Sequence, residues 1–594
     1  MKRWERAMIA ALGCLSLAMG WLGAVTAMAQ EGDGPPGVEE AVELKVKFDW
    51  EKLDAQALEE YAQAIRPGSP GKSAFWGKVR RSFKYAQAFD FLPVEGAKSY
   101  RFTITQWDSD GTNRIGDKAW SFEAAEPWAP LTPVWTALPV STDDTRLRLT
   151  VEGLDKKGGK AIGASTCRAV DEAMAWRVPS GYLGEQYRDF RKGQPFAGPF
   201  YTNEFSLHEG SLGSLRRTLE KPMWAFYKEH GLPIKGERGP EYAQYANLGG
   251  EWLFAHGWLV ARSMASLARE TKDRDEAALA ITTATNGAET VINTCFPADW
   301  KYAFCPSTLK NLGSNWRKYL TGEITYERFF EDACNAVSNH RMEWEARAND
   351  PGQMYLDMYD VTKEEKYLRA AKRLAQTYRT TQLPSGTWYD GVNPKTGEPA
   401  NEALHPPALI ILFLDRLASQ YGILDYQETA DRAFRWLLQN RIRPFNFPAK
   451  FWEDTAGAMS KTPHLAQGSL AAAHVAICLF NRAEEDPQYV AMGEEIVRFV
   501  EDQFVFWKDG RGYVSEQYRF MKYVGVSGGG VLEAFWRAFE ATGKPLYLAK
   551  ALALANTVVT PDDYGNGWNT PACAGIDVLE FCAFLKKHGL PGAE

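Results

Sequence analysis

Two periods of hydrophobic spacing divide this chain. From about Phe83 to Val178 apolar residues recur at every second position. Tyr100-Arg101-Phe102-Thr103-Ile104-Thr105 and Leu147-Arg148-Leu149-Thr150-Val151 both alternate, as half-buried strands do. Asp108-Ser109-Asp110-Gly111 and Lys156-Lys157-Gly158-Gly159 read as hairpin turns. Short strands at this spacing predict a β-sandwich of about a hundred residues. Asp108, Asp110 and Asn113 have the start of a calcium-loop pattern without its closing glutamate, so an ordinary turn is the expectation.

The Pro- and Gly-rich stretch Gln194 to Tyr201 reads as a linker. Beyond it the spacing becomes helical. Helices are predicted over Glu241 to Ala268, Arg274 to Cys295, Lys363 to Gln382, Pro407 to Tyr421, Asp425 to Asn440, Leu465 to Arg482, Pro487 to Phe504, Val531 to Thr542, Leu546 to Val559 and Ala572 to His588. Phe296 to Gly352 reads as an irregular insertion or a modified hairpin. A turn-and-restart phrase repeats around Thr362, Leu424, Asp486 and Gly543. Its tyrosines, Tyr367, Tyr426, Tyr489 and Tyr547, recur about every 60 residues. A period that long holds two helices, which predicts about six helical hairpins between Ser206 and His588. The expected organisation is a signal segment at 1–29, a charged leader at 30–80, a β-sandwich at 81–178, a linker at 179–205 and a helical domain at 206–594.

The connections between helices are of two kinds. The repeat turns are short and chemically plain. Leu383 to Pro406, Ile442 to His464, Phe504 to Gly530 and Pro561 to Pro571 are long and rich in aromatic and charged residues. In a closed ring of hairpins the two kinds fall on opposite ends, and long polar loops on a rigid scaffold are where function concentrates. The candidate catalytic groups there are Asp390, Glu453, Asp454 and Glu516. Carboxylates beside tryptophans suit glycosidic chemistry, in which one acid protonates the leaving oxygen and another activates water or attacks. Turn formation competes for Asp390, capping or loop bracing for Glu453 and Asp454, and a solvated loop position for Glu516. Tyr513 or Tyr518 with Arg511 would instead suit a lyase or epimerase, with a phenolate as base and a cation over the uronate carboxylate. Trp388, Tyr389, Trp452, Trp507, Tyr564 and Trp568 are the candidate sugar-binding aromatics, with core packing as the competing role.

Composition narrows the setting. Lys2, Arg3 and Arg6, the apolar run Met8 to Leu22 and Ala27-Met28-Ala29 form a secretory signal, so a secreted or periplasmic protein is expected, with no membrane span after its removal. The formal net charge is -7 and no Lys/Arg block stands out, which argues against nucleic acid as a partner. The cysteines after the signal number seven, so at least one is free or pairs between chains. Cys295, Cys305 and Cys334 sit in one region that could include a bridge, and Cys478 is expected to be simply buried. Without CxxC or HxxxH, and with scattered histidines, no metal and no cofactor are expected. The 21 tryptophans fit a chain that stacks rings on pyranose faces.

With its hairpin repeat, its long aromatic-acidic loops and its leading β module, the chain resembles secreted carbohydrate-active enzymes of the six-hairpin, or (α/α)6 toroid, type. The order of strand and turn signals in the β module resembles fibronectin type III. The resemblance implies a mainly α fold, an (α/α)6 toroid preceded by a small all-β sandwich. It further implies a polysaccharide or oligosaccharide substrate handled by a glycoside hydrolase, a polysaccharide lyase or an epimerase. A non-catalytic glycan-binding protein is the remaining alternative.

Overall fold

The structure is a computed structural model that describes residues 48–65, 82–142, 144–167, 204–207, 257–293, 295–306, 323, 325, 328, 350–389, 392–399, 404–445, 447, 468–508, 511–515, 525–559 and 571–590. It is mainly helical, with a smaller β-rich region near the N-terminus.

The first described helix, α1 (Trp50–Ala62), is capped by Asp49, whose side chain accepts from the Lys52 amide at 3.2 Å. Leu53, Ala57 and Tyr61, four residues apart, form its buried face. The β region follows as β1 (Ser82–Phe83), β2 (Ala88–Asp90), β3 (Ser99–Asp108), β4 (Arg114–Ala124), β5 (Trp128–Pro130), β6 (Thr145–Leu154), β7 (Ala161–Ala164) and β8 (Glu204–Leu207). One sheet runs β1-β8-β6-β3-β4 with β7 also on β6, and β2 and β5 form a separate ribbon. The alternation read in the sequence is the burial pattern here: Tyr100, Phe102, Ile104, Leu147, Leu149 and Val151 all point inward. β8 returns the chain to the sheet well past residue 178, where the change of period would end the β region. The Asp108 loop is a hairpin turn, its carboxylate accepting from the Thr112 and Asn113 amides at 2.7 and 3.1 Å and from the Asn113 side chain at 2.7 Å.

The helices are α2 (Gly257–Glu270), α3 (Arg274–Asn293), α4 (Asp350–Thr362), α5 (Glu365–Thr381), α6 (Ala408–Tyr421), α7 (Gln427–Leu437), α8 (Ser469–Asn481), α9 (Gln488–Phe504), α10 (Gly525–Thr542), α11 (Pro545–Val559) and α12 (Pro571–Lys587). A small hairpin, β9 (Val505–Lys508) and β10 (Arg511–Val514), lies between α9 and α10. Among the described residues α2, α4, α6, α8, α10 and α12 touch one another in that order, and α12 touches α2. The even-numbered helices from α2 onward therefore close a ring. From α2 to α11 each ring helix pairs with the helix after it, which stands outside.

α4 corrects the sequence reading, which ended an irregular stretch at Gly352 and placed only a repeat turn near Thr362. Asp350-Pro351-Gly352 has the look of a breaker. Proline is tolerated in a first helical turn, where its missing N–H has no intrahelical partner to lose. Gly352 is there for room: a Cβ on it would lie 2.7 Å from three ring carbons of Phe413 on α6. The neighbouring ring helices approach closely because that atom is absent. Gly530 does the same between α10 and α8, where a Cβ would meet Leu470 at 2.3 Å.

The repeat tyrosines have a common task. Each sits at the start of an outer helix and reaches back to the outer helix before it. The Tyr367 hydroxyl donates to Glu289 on α3 at 3.2 Å, Tyr426 to the Lys372 carbonyl on α5 at 3.0 Å, and Tyr547 to Glu494 on α9 at 2.7 Å. Tyr489 makes the same step with its ring, edge-on to Phe434 on α7 at 5.3 Å.

Candidate functional site

The short turns all follow the C-termini of ring helices, and the long connections all enter their N-termini. The helix termini that the long connections join therefore share one end of the ring. Two of the connections are joined: the Lys301 and Tyr302 amides, after α3, donate to the carbonyls of Lys395 and Pro394, after α5, at 3.1 and 2.8 Å.

Halfway along the ring helices lies a belt of charge. Asp357 on α4, 1% exposed, accepts from Arg262 on α2 at 2.9 Å and pairs with Arg416 on α6 at 2.8 Å. Arg262 also reaches Glu580 on α12 at 3.3 Å, and Arg416 reaches Asp360 at 3.1 Å. On α10, Glu533 pairs with Arg537 at 3.4 Å. His474 stands on α8, opposite α2 in the ring order. Every ring helix thus contributes a titratable or charged side chain.

The surroundings pull these groups apart. Burial pushes the Asp357 carboxyl up, but Arg416, Arg262 and Arg269 outweigh it and hold it at about 2. Burial pushes Glu533 up, and the Glu580 charge adds to that against the pull of Arg537 and Arg262, so the net direction is upward. Burial and the positive charge of Arg262 bring His474 down to about 4, so its imidazole is neutral at physiological pH. The Glu533 side chain is half-buried and keeps 19% of its surface accessible. Two carboxyls whose environments drive their acidities in opposite directions are the pattern by which acid and base roles are separated.

These residues are missing from the sequence-based candidates. They sit within helices, where a lone charge reads as a solvated face, and only ring closure turns them inward. The spacing of Arg262, Asp357, Arg416, His474, Glu533 and Glu580 carries no local motif.

The loop candidates fall into two groups. Asp390, Trp452, Glu453, Asp454, Glu516, Tyr518, Tyr564 and Trp568 lie outside the described residues. The others are described, and three of them are buried. Trp388 is 0% exposed, donates its indole N–H to the Tyr378 carbonyl at 3.1 Å and meets the Tyr378 ring edge-on. Trp507 donates to Glu501 at 3.0 Å and is edge-on to Phe535 on α10. Tyr513 is buried in β10. Trp388 and Trp507 offer no open face for a sugar here; packing, the competing role, describes both. Tyr389 is half-buried in an isolated bridge with Leu404, and Arg511 is half-buried at the start of β10. Among the described residues Cys295, Cys478 and Cys582 are free thiols, and no cluster of metal-ligating side chains is found. No helix among them is long and apolar enough to cross a membrane.

No family model matches the chain, and no curated protein matches it. Solved structures similar to it include a family 76 glycoside hydrolase from a bovine Bacteroides thetaiotaomicron strain, at 10% identity and TM-score 0.39, covering 84% of this chain and 98% of that one. A sugar epimerase from a ruminal bacterium aligns at 12% identity and TM-score 0.37, covering 62% and 97%. A family 105 glycoside hydrolase from C. acetobutylicum aligns at 11% identity and TM-score 0.33, covering 60% and 93%. Scores of this size carry no argument about fold or chemistry.

Proposed function

We propose that this chain is an exported glycan-cleaving hydrolase built on an (α/α)6 six-hairpin toroid, with a fibronectin III-like β module in front of it. The observation that supports this most is Glu533: a carboxyl inside a closed ring of helices, with accessible surface, a raised pKa and a second carboxylate, Glu580, close enough to repel it. Such a carboxyl keeps its proton at higher pH than a solvated one and can deliver it to a glycosidic oxygen as the C–O bond breaks. The partner carboxylate, which activates water or attacks the anomeric carbon, comes from the long connections, with Asp390, Glu453, Asp454 and Glu516 as the candidates. Trp452, Tyr564 and Trp568 remain the sugar-stacking candidates on those connections. Asp357, pinned by arginines, braces the ring helices α2, α4 and α6 against one another.

The test is incubation of the mature protein with a panel of neutral and uronate-rich polysaccharides, following reducing ends and ultraviolet absorbance together. Reducing ends without absorbance support the hydrolase. Both rising together mark an unsaturated product and hence a lyase. Tyr513 is buried in its hairpin, so Tyr518 with Arg511 would then be the pair to mutate.

A further inference from the structure

We infer that the N-terminal module is a positioning element for the connection between α9 and α10, acting through Glu501 as a shared acceptor. Glu501 closes the last turn of α9 and is wholly buried. One carboxylate oxygen accepts from the Tyr61 hydroxyl on α1 at 2.7 Å and from the Trp507 indole N–H on β9 at 3.0 Å. The other accepts from the Tyr85 hydroxyl at 2.8 Å and from the Lys550 ammonium on α11 at 2.7 Å. Two donors come from the N-terminal module, one from the connection and one from the ring's outer layer. A buried carboxylate has few acceptor positions, so the donors that share it fix one another's places.

The neighbouring residue repeats the arrangement. Asp502 accepts from the Lys84 and Tyr85 amides at 2.7 and 3.0 Å and from the Gln87 side chain at 3.3 Å. The Lys84 ammonium bonds the carbonyls of Glu501 and Val505, where α9 ends and β9 begins. A cation at a helix C-terminus satisfies its open carbonyls and suits its dipole. Tyr61 and Tyr85 meet edge-to-face at 4.9 Å, and the Trp135 indole donates to the Lys84 carbonyl at 2.8 Å, so the donors are themselves held.

What they position is the hairpin at the base of the connection. The Ser515 amide donates to the Phe504 carbonyl at 2.8 Å, and the Gly512 amide to Thr557 on α11 at 2.8 Å. The Trp507 ring fills the space beside Gly512, where a Cβ would lie 2.5 Å from it, and touches Phe535 two positions from Glu533 on α10. The N-terminal region, through Tyr61 and Lys84 to Gln87, thus fixes a strand pair that carries Arg511 and precedes Glu516 and Tyr518 in the chain. Tyr61, Tyr85 and Glu501 are positioning residues. This holds whatever substrate the ring takes.

The experiment is hydrogen exchange on the full-length protein, comparing wild type with Tyr61→Phe/Tyr85→Phe, which removes two hydroxyls and keeps both rings. Amides of Val505–Lys508 and Arg511–Val514 are expected to exchange about tenfold faster or more, the scale of lost hydrogen bonds to a charged acceptor. Those of α4, opposite α10 in the ring order, stay at wild-type rates. Adding Trp507→Phe then produces less than its effect in the wild-type background, since both changes act on one acceptor. Unchanged hairpin exchange, equal acceleration throughout the ring, or full additivity overturns the inference. If the double variant does not fold, Tyr61→Phe alone is read in the same way.

Discussion

Arg262 on the first ring helix and Glu580 on the last lie 3.3 Å apart, across 318 residues of sequence. That contact closes the ring, and the same guanidinium joins it to Asp357 on the next helix. Closure is therefore electrostatic as well as apolar.

Asp357 carries the largest share of that arrangement. Asp357→Asn would leave Arg262 and Arg416 buried without their common anion, a loss of about 3–5 kcal/mol by the usual cost of breaking a buried pair. Urea unfolding should show the midpoint falling with little change in slope.

The pH dependence has a definite sign. Asp357 is held at about 2, below its unfolded value near ~3.9. Its stabilisation is present above the unfolded value and is lost as pH falls through the folded one. Wild-type stability should therefore drop between about pH 4 and 2 more steeply than that of Asp357→Asn. His474 adds a second window. Its folded value of about 4 lies below the unfolded ~6.5, so the unfolded chain binds the extra proton between them. Stability should rise with pH across that window and level off above it, and His474→Gln should flatten the slope. An assigned His474 resonance titrating near ~6.5 in the folded protein by NMR would contradict its placement.

The repeat tyrosines give a graded prediction. Tyr547 donates to the buried Glu494, whereas Tyr489 meets α7 with its ring. Tyr547→Phe should cost about 1.5–3 kcal/mol, the range for hydrogen bonds to charged groups. Tyr489→Phe keeps the ring and should stay within about 0.5 kcal/mol of wild type. Thermal melts of the two variants side by side would check the order.

Gly352→Ala tests the close approach of α4 and α6. Phe413 is wholly buried and its ring cannot swing clear of the new methyl. A loss of about 1–3 kcal/mol is expected from such overpacking, read as a lower Tm.

Much of the fold is legible in the sequence, for a physical reason. A half-buried strand writes its face at every second residue, so β3 and β6 were readable from Tyr100-Phe102-Ile104 and Leu147-Leu149-Val151. Outer helices write theirs as an amphipathic stripe; Tyr367, Ala371, Leu374 and Tyr378 on α5 are an example. α4 is less legible because its inward face carries Asp357 and its first turn carries proline and glycine. The belt was invisible for the same reason: an inward charge looks like a solvated one until the helices opposite it are known. Trp388 and Trp507 misled in the other direction. A tryptophan beside polar loop residues reads as a binding surface, yet both indoles are buried and spend their N–H on a carbonyl and a carboxylate of the scaffold.

The most direct test of the glycan-cleaving account is the rate of reducing-end release by wild type and by Glu533→Gln, on the polysaccharide of the panel that wild type cleaves. Glutamine keeps the shape and removes the proton to be donated. The account predicts a loss of at least about a hundredfold in kcat, the scale of general acid catalysis, with circular dichroism and Tm unchanged. It also predicts that wild-type kcat falls as pH rises through the raised Glu533 value. A variant that cleaves at the wild-type rate, or a wild type that releases no reducing ends from any member of the panel, would contradict it.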